Sequence, residues 1–326
     1  MKQRLFSGLQ PTGIVHIGNY FGAIKNWIAL QNDFDALFCI VDLHALTVYQ
    51  EPEKFSRSIL NTIKLYLACG LDPKKATIFI QSHVKEHAEL AWILNTITPI
   101  AELERMTQYK DKAKQHKENV NVGLFDYPVL MAGDIFLYDG QAVPVGEDQM
   151  QHIELARVLA KKFNNKYGQT FIEPKGITPK FGARIMALDD VTKKMSKSAK
   201  SEYNYITMSD NATAIDKKIK KAVTDSGSEI IYDPENKPAL SNLLTIYHLT
   251  TGIEIPELVK RYAGKGYGAF KQDLAQALID FLTPIQEKMA GISDAEALKI
   301  VKDGAKQAAK IAAKKIKEVK EKIGLI

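Results

Sequence analysis

Residues 5–19 read Leu-Phe-Ser-Gly-Leu-Gln-Pro-Thr-Gly-Ile-Val-His-Ile-Gly-Asn, an apolar run that leads through a turn into a helical pattern. Further apolar runs at residues 36–42 and 76–81 are separated by a segment with helical spacing that stops at Gly70. Such continuous runs are typical of parallel strands that are buried on both faces. The β-α-β-α-β order therefore predicts an α/β fold with a Rossmann-like, doubly wound parallel sheet.

The rest of the chain predicts a further strand and a long helical part. Residues 143–146 predict a strand that precedes a helix, whereas residues 82–126 interrupt the alternation and predict a mainly helical insert. We expect a catalytic domain over residues 1–200 and an appended all-helical domain over residues 201–290. Residues 291–326 predict one helix that packs back on the body, with its lysines in solvent. Its predicted buried stripe is Leu298, Val301, Ala305, Ala308, Ala312, Ile316, Val319 and Ile323.

Composition and charge narrow the class of protein. Hydrophobic residues make up 45% and charged residues 25%, as in globular proteins. Of the net charge of +6, nine lysines against five acidic residues in residues 291–326 contribute +4, which admits an RNA partner. No apolar run could span a bilayer, and no signal peptide is recognisable. Because Cys39 and Cys69 lack the spacing of a metal site, we expect a cytoplasmic protein with no structural metal and no membrane partner.

Two motifs about a domain's length apart carry the candidate chemistry. His16 and Asn19, three residues apart at a helix start, share one face beside free backbone N–H groups that suit phosphate oxygens, and Gly18 leaves room for a flat base. Lys194 and Lys197, in a Ser-rich loop, place two positive charges three residues apart, which also suits phosphate groups. Each motif alone fits an ordinary turn or a solvated basic loop. Together they resemble the two ATP signatures of class I aminoacyl-tRNA synthetases.

Four more segments sharpen this resemblance. Residues 6–13, 102–108, 127–134 and 143–157 are similar to bacterial tryptophanyl-tRNA synthetases, and the similarity extends along the whole chain. Asn19 stands where the general class I signature has His, as in the tryptophan branch. Gly133 stands where the family more often has Ala.

The resemblance implies the site residues one by one. ATP would contact Gln10, Pro11, Thr12, Gly18, Asn19, Gly146, Glu147, Asp148, Ile185, Lys194, Met195, Ser196, Lys197 and Ser198. The catalytic group would be Lys194, Lys197, Lys112, His16 and Asn19. The tryptophan ring would lie against Phe6, Val41, His44, Met131, Val143 and Val145. Gly8 would also belong to the substrate site, and Tyr127 and Gln149 would hold the amino group of the substrate.

The resemblance also implies a reaction and partners. ATP with Mg²⁺ would activate tryptophan, tRNA(Trp) would receive it, and the enzyme would be a homodimer that reads the anticodon with the helical domain. Asp134, a carboxylate in an apolar helix, would accept the indole N–H. Without that donor we expect it to be unsatisfied, unless a lysine or a backbone N–H pairs with it.

Three alternatives remain open from the sequence. A tyrosyl-type synthetase shares the signatures, and a non-catalytic RNA-binding relative would keep the fold. His83, Glu86 and His87 match the H-x-x-E-H pattern of a zinc peptidase, in which two imidazoles one helical turn apart bind zinc.

Overall fold

The computed structural model describes residues 2–109, 120–146, 149–177, 185–196, 201–225 and 227–325. Within these residues the strands are β1 (Arg4–Leu9), β2 (Asp35–Ile40), β3 (Ala76–Ile80), β4 (Ala142–Pro144) and β5 (Lys175–Ile177). The helices of the first half are α1 (Ile17–Asn19), α2 (Lys25–Leu30), α3 (Asp42–Ala45), α4 (Pro52–Cys69), α5 (Glu86–Asn95), α6 (Ile100–Glu104) and α7 (Val122–Leu137). Those of the second half are α8 (Met150–Tyr167), α9 (Ala212–Lys221), α10 (Pro238–Thr251), α11 (Ile255–Arg261), α12 (Gly266–Gly291) and α13 (Asp294–Ile323).

All five strands are parallel and lie in the order β3-β2-β1-β4-β5. The predicted doubly wound sheet is therefore confirmed. The strand predicted at residues 143–146 is β4, which is shorter, and β5 was missed because three residues containing a lysine and a glycine give no apolar run. The order reverses beside β1, so the residues after β1, β2, β3 and β4 meet at one edge, where doubly wound proteins bind ligands.

The chain forms two compact units. The first contains residues 1–12, 27–180 and 292–326, and the second contains residues 13–26 and 181–291. This division differs from the expected boundary at residue 200, because residues 13–26 pair with the second unit: the backbone N–H of Ile17 donates to the oxygen of Ile206 at 3.0 Å. No helix of the described residues is long and apolar enough to cross a membrane.

Two glycines mark a helix end and a close contact between a helix and the sheet. Gly70 follows α4 with φ of 110°, a left-handed conformation that stops the helix as its position in the sequence predicts. Gly304, on α13, lies directly on β3: a Cβ built there would be 2.0 Å from the backbone oxygen of Ile78. The last helix therefore packs against the sheet of the first unit, backbone to backbone.

The buried stripe of α13 is largely as predicted. Val301, Ala308, Ala312 and Val319 are fully buried. The prediction was wrong for Leu298, which is 37% exposed because it lies in the first turn, beside the buried Ala297. It was also wrong for one lysine, as the ammonium of Lys315 is buried and paired with Asp139 and Glu318, each at 2.9 Å.

Gly133 gives a prediction about stability. A methyl group at this position of α7 would lie 3.4 Å from the backbone nitrogen of Ala91 on α5, at ordinary contact distance. Because glycine weakens a helix interior, we expect Gly133→Ala to raise the free energy of unfolding by about 0.5–1 kcal/mol. Urea unfolding measures this change. Gly268→Ala on α12, where a methyl meets nothing within 4 Å, isolates the helix-propensity effect; a loss of stability in Gly133→Ala alone would mean that α5 and α7 pack too tightly for the methyl.

Candidate active site

The first unit brings the expected pocket residues to the carboxyl edge of the sheet. Phe6 and Gly8 lie on β1, Val41 follows β2, and Val143 and Val145 lie on and after β4. Their apolar side chains belong to one buried cluster, against which the partly buried Met131 packs. Helices α3 and α7 add His44, Tyr127 and Asp134 to this edge.

Gly8 has no space for a side chain. A Cβ at this position would lie 2.5 Å from the backbone oxygen of Cys39 and 2.8 Å from the side chain of Val41. Gly8 pairs with Cys39 across β1 and β2, so neither backbone can move away without breaking the sheet. Without a side chain, Gly8 leaves the backbone at the end of β1 exposed at this edge of the sheet.

Asp134 is a buried polar group of this edge, with 1% of its surface exposed. His87 Nδ1 lies 2.6 Å from Oδ1, and His44 Nε2 lies 2.9 Å from Oδ2. Gln81 Nε2 donates to both oxygens, at 2.8 and 2.9 Å. Three side chains from β3's end, α3 and α5 therefore surround one carboxylate.

The charge of Asp134 follows from this environment. Burial by itself would raise the pKa of the carboxyl, but the electrostatic interaction with His87 and the hydrogen bonds from His44 and His87 outweigh it and lower the pKa to about 2. An ionised carboxylate only accepts hydrogen bonds, so His87 Nδ1 and His44 Nε2 both carry a proton. The site is a negative charge with its donors already in place.

The expectation that Asp134 lacks a partner without substrate was wrong. The partners are neither a lysine nor a backbone N–H, but three side chains that stand 90, 53 and 47 residues away in sequence. Sequence reasoning missed Gln81 as a site residue, although it directly follows β3 at the same edge as Gln10 and Val41. That position after a parallel strand was the signal that could have found it.

The zinc-peptidase alternative was wrong as well. Both ring nitrogens of His87 are occupied: Nδ1 by Asp134, and Nε2 by the hydroxyl of Tyr138 at 2.7 Å. His83 lies on a separate short 3₁₀ helix and is exposed, whereas His87 is fully buried. No group of metal-ligating side chains forms in the part of the chain that the structure describes.

The two residues expected to hold the amino group of the substrate, Tyr127 and Gln149, differ in their burial. Tyr127 is buried, and its hydroxyl lies 3.0 Å from Gln108 Oε1 and 3.1 Å from His152 Nε2. Its ring stands edge-on to His44 at 6.2 Å, so it borders the Asp134 cluster. Gln149 and Gly146 are exposed in the turn before α8, where the backbone N–H of Gln149 donates to the oxygen of Gly146. Gln10 donates to the backbone oxygen of His44 at 3.4 Å, and Pro11 accepts from the Ser58 hydroxyl at 2.6 Å.

In the second unit, the two ATP signatures are neighbours. A Cβ at Gly18 would lie 3.7 Å from the Cβ of Met195, whose N–H donates to the backbone oxygen of Ile185 at 3.1 Å. Lys194 is exposed on a backbone bridge to Met186, and the N–H of Ser196 donates to Asn204 Oδ1 at 3.2 Å. Sequence positions 18, 185 and 194–196 are therefore brought together by this unit alone.

His16 and Asn19 differ from the simple picture of two outward donors. His16 is buried, and its backbone N–H donates to Asn19 Oδ1 at 3.1 Å, so the asparagine oxygen caps the start of the helix. The space beside Gly18 holds the His16 ring, since a Cβ there would lie 2.9 Å from two ring atoms. In this structure Gly18 thus makes room for an imidazole. Thr12 begins the turn before this motif; Lys112, Glu147, Asp148, Lys197 and Ser198 lie outside the described residues.

Comparisons with known proteins agree with the fold. The family model of class I tRNA synthetases for tryptophan and tyrosine matches residues 1–283. A tryptophan–tRNA ligase of Caldanaerobacter subterraneus subsp. tengcongensis is 54% identical over 324 residues, 99% of each chain. The tryptophanyl-tRNA synthetase structure of Mycoplasma pneumoniae has a TM-score of 0.90 and 34% identity, covering 100% of this chain and 99% of that one. That of Campylobacter jejuni, complexed with ADP and tryptophan, has a TM-score of 0.86 and 39% identity, covering 99% and 100%.

The chain therefore belongs to the class I aminoacyl-tRNA synthetases of the tryptophan and tyrosine family. It is a ligase, and the resemblance to bacterial tryptophanyl-tRNA synthetases is confirmed.

Proposed function

We infer that this chain is a tryptophan–tRNA ligase, which activates L-tryptophan with ATP and transfers it to the 3′ end of tRNA(Trp). One observation carries the choice of amino acid: a buried, ionised carboxylate, Asp134, is held by polar partners at the same edge of the sheet as the apolar pocket residues. An aromatic ring with an N–H donor complements that arrangement, and the full-length relatives are tryptophan–tRNA ligases. The tyrosyl-type alternative has less support.

The first step needs no protein nucleophile. The tryptophan carboxylate attacks the α-phosphate of ATP in line, which forms tryptophanyl-adenylate and expels pyrophosphate; a ribose hydroxyl of tRNA then attacks the acyl carbon. The protein orients the reactants and stabilises the developing charge. We propose that Lys194, Lys197 and Lys112 supply that charge beside Mg²⁺, which enters with ATP as part of the substrate.

Pyrophosphate exchange across all twenty amino acids tests the function. We expect ATP–pyrophosphate exchange that depends on tryptophan and is weaker by orders of magnitude with tyrosine or phenylalanine. Exchange that depends on tyrosine instead would indicate a tyrosyl-type synthetase. No exchange with any amino acid would favour a non-catalytic RNA-binding protein.

Lys194 gives a prediction about the activation step. Its side chain is exposed while its backbone is held by the bridge to Met186, so removing the ammonium leaves the local fold intact. We expect Lys194→Ala to lower kcat for adenylate formation about 10²- to 10³-fold, with little change in the Kd for tryptophan, because the charge acts as pyrophosphate departs. Single-turnover kinetics separate the two constants.

Lys193→Ala is the matched control for this prediction. The neighbouring ammonium pairs with Asp190 at 2.6 Å, and this contact raises the pKa of Lys193 and lowers that of Asp190 to about 2. Its charge is thus used within the loop, and we expect kcat within about twofold of the wild type. A normal kcat in Lys194→Ala with weaker tryptophan binding would contradict the proposed role.

We propose that the helical region at residues 201–290 binds the anticodon of tRNA and that the enzyme works in the cytoplasm. Helices α9, α10, α11 and α12 make up most of this region, which belongs to the second unit. The C-terminal half of α9 carries Lys217, Lys220 and Lys221 on its exposed side, which suits phosphate groups. The free thiols of Cys39 and Cys69 suit a reducing compartment.

We also propose a homodimer through an apolar patch of the first unit. The patch consists of Leu46, Tyr49, Trp92, Ile100 and Val122, whose exposed fractions range from 58% to 78%. Helices α5 and α6 both pack on α7, and Asn121 Nδ2 donates to the oxygen of Thr47 at 3.0 Å, so the segments that carry the patch are adjacent. Exposed apolar patches of this kind mark interaction sites.

Trp92→Asp tests the dimer. Trp92 is 73% exposed, so the monomer fold does not depend on it, whereas a charge in a dimer interface would be buried without a partner. We expect a dimer for the wild type and a monomer for the variant in light scattering. Val158→Asp, an exposed valine on α8 outside the patch, is the control and should remain dimeric. A monomeric wild type would refute the proposal.

A further inference from the structure

We propose that His87 and Tyr138 are positioning residues for amino-acid selection: they fix the orientation of the Asp134 carboxylate, so that its acceptor direction fits a ring N–H. The inference rests on the proposed role of Asp134 as the acceptor for the indole. It adds two residues that lie behind the carboxylate.

The three groups form a clamp between two helices. Asp134 and Tyr138 are one helical turn apart, at the end of α7, and His87 comes from the neighbouring α5. The imidazole is inserted between them, 2.6 Å from Asp134 Oδ1 and 2.7 Å from the hydroxyl of Tyr138. His87 and Tyr138 are both fully buried, so water does not compete for these contacts.

Both ring nitrogens of His87 make hydrogen bonds within the clamp. Asp134 is ionised, so the proton of this pair stands on His87 Nδ1. Nε2, on the other side of the ring, lies 2.7 Å from the Tyr138 hydroxyl, and the protonation of the ring decides which of the two donates. Burial raises the pKa of Tyr138 well above its usual value, so the hydroxyl keeps its proton. Hydrogen bonds in series beside one anion strengthen each other, and the two contacts hold the imidazole in one orientation.

Tyr138 also ties the acceptor to the apolar wall of the pocket. Its ring stacks on Phe6 with centroids 5.5 Å apart and planes 6° from parallel, and it packs edge-on against Phe79 at 5.6 Å. Phe6 is one of the residues proposed to line the tryptophan ring. The same tyrosine thus contacts the wall and, through His87, the carboxylate, which fixes the distance between them.

Saturation of the carboxylate makes such a support necessary. Four contacts from His44, Gln81 and His87 reach its two oxygens, close to the roughly four acceptor positions that a carboxylate has. An indole N–H that reaches this carboxylate must therefore share an oxygen with one of these donors, and the angle at which it does so depends on the orientation of the carboxylate. A looser carboxylate would accept the N–H at a poorer angle, whereas a ring without N–H would be unaffected.

The experiment compares two substrates on gentle variants of the full-length protein. Kinetics of pyrophosphate exchange give kcat/KM for tryptophan and for β-(3-benzothienyl)alanine, in which sulfur replaces the ring N–H. For Tyr138→Phe we expect the tryptophan value to fall about three- to tenfold, the factor of one hydrogen bond, with less than twofold change for the analogue. His87→Asn keeps a donor toward Asp134 and should behave like Tyr138→Phe. His87→Leu removes that donor and should lower further the ratio of kcat/KM for tryptophan to kcat/KM for the analogue.

Tyr66→Phe is the matched control. Tyr66 is fully buried in the same unit, and no hydrogen-bond partner of its hydroxyl is present in the described residues, so only its packing matters. We expect Tyr66→Phe to leave the ratio of kcat/KM for tryptophan to kcat/KM for the analogue unchanged. Equal losses for both substrates in Tyr138→Phe and His87→Asn, or no change in either, would overturn the inference; should His87→Leu fail to fold, these two variants decide. Failure of the proposed function is distinguishable, because the wild type would then show no tryptophan-dependent exchange.

Discussion

Asp134→Ala is expected to lower kcat/KM for tryptophan by about 10- to 150-fold, which corresponds to the 1.5–3 kcal/mol of a hydrogen bond to a charged group. The carboxylate is buried and ionised, so in water-free surroundings its bond to the indole N–H is not replaced by solvent. For β-(3-benzothienyl)alanine, which has no ring N–H, the loss should be much smaller. Steady-state pyrophosphate exchange with both substrates on both proteins closes a double-mutant cycle.

The same substitution has a second, structural effect. It leaves the buried donors of His44, Gln81 and His87 without their acceptor, and each such group costs about 1–3 kcal/mol. We therefore expect a lower free energy of unfolding. The ratio of kcat/KM for tryptophan to kcat/KM for the analogue does not depend on this loss of stability, because both substrates meet the same destabilised protein. Asp126→Ala is the control, since this carboxylate of the same helix accepts from Asn95 at 2.7 Å outside the cluster. If Asp134→Ala lowers both substrates equally, Asp134 is only structural.

The pKa of Asp134 sets the pH range of its contribution. Its folded value of about 2 lies below the ordinary 3.8, so ionisation of the carboxyl stabilises the folded state above about pH 4, and this contribution is lost as the pH falls through about 2. Selection through Asp134 is therefore expected to be constant between pH 6 and 8.

Gly304→Ala is the second large expected effect, on stability. The new methyl would meet the backbone of Ile78 at 2.0 Å from its oxygen and 2.9 Å from its carbonyl carbon. Ile78 is paired with Phe38 inside the sheet, so the strand cannot yield and α13 must move away from it. Overpacking of this kind costs about 1–3 kcal/mol, and we expect the upper end or more because both partners are backbone.

Urea and thermal unfolding measure this loss. Gly133→Ala, which also adds a methyl to a helix glycine of the first unit but at contact distance, is the control with the opposite expected sign. Equal stability of Gly304→Ala and the wild type would show that α13 can shift on β3 without cost.

The sequence by itself determined the periodic features of this protein. Apolar runs and helical spacing predicted β1, β2, β3 and the doubly wound order, and Gly70 marked the end of α4. These features depend on neighbouring residues, whose repeat follows from which face is buried. The motifs at residues 10–19 and 194–198 were equally local, and they carried the resemblance to the family.

Only the tertiary structure decided which polar groups meet. Asp134 was selected as a candidate because a carboxylate stood in an apolar helix, but its partners His44, Gln81 and His87 come from other elements. A pattern of neighbours cannot identify them, because a hydrogen bond depends on distances between segments far apart in sequence. For the same reason His87 was assigned to a zinc motif, Lys315 to the solvent face, and Gly304 to no role at all, until packing placed each beside its actual neighbour.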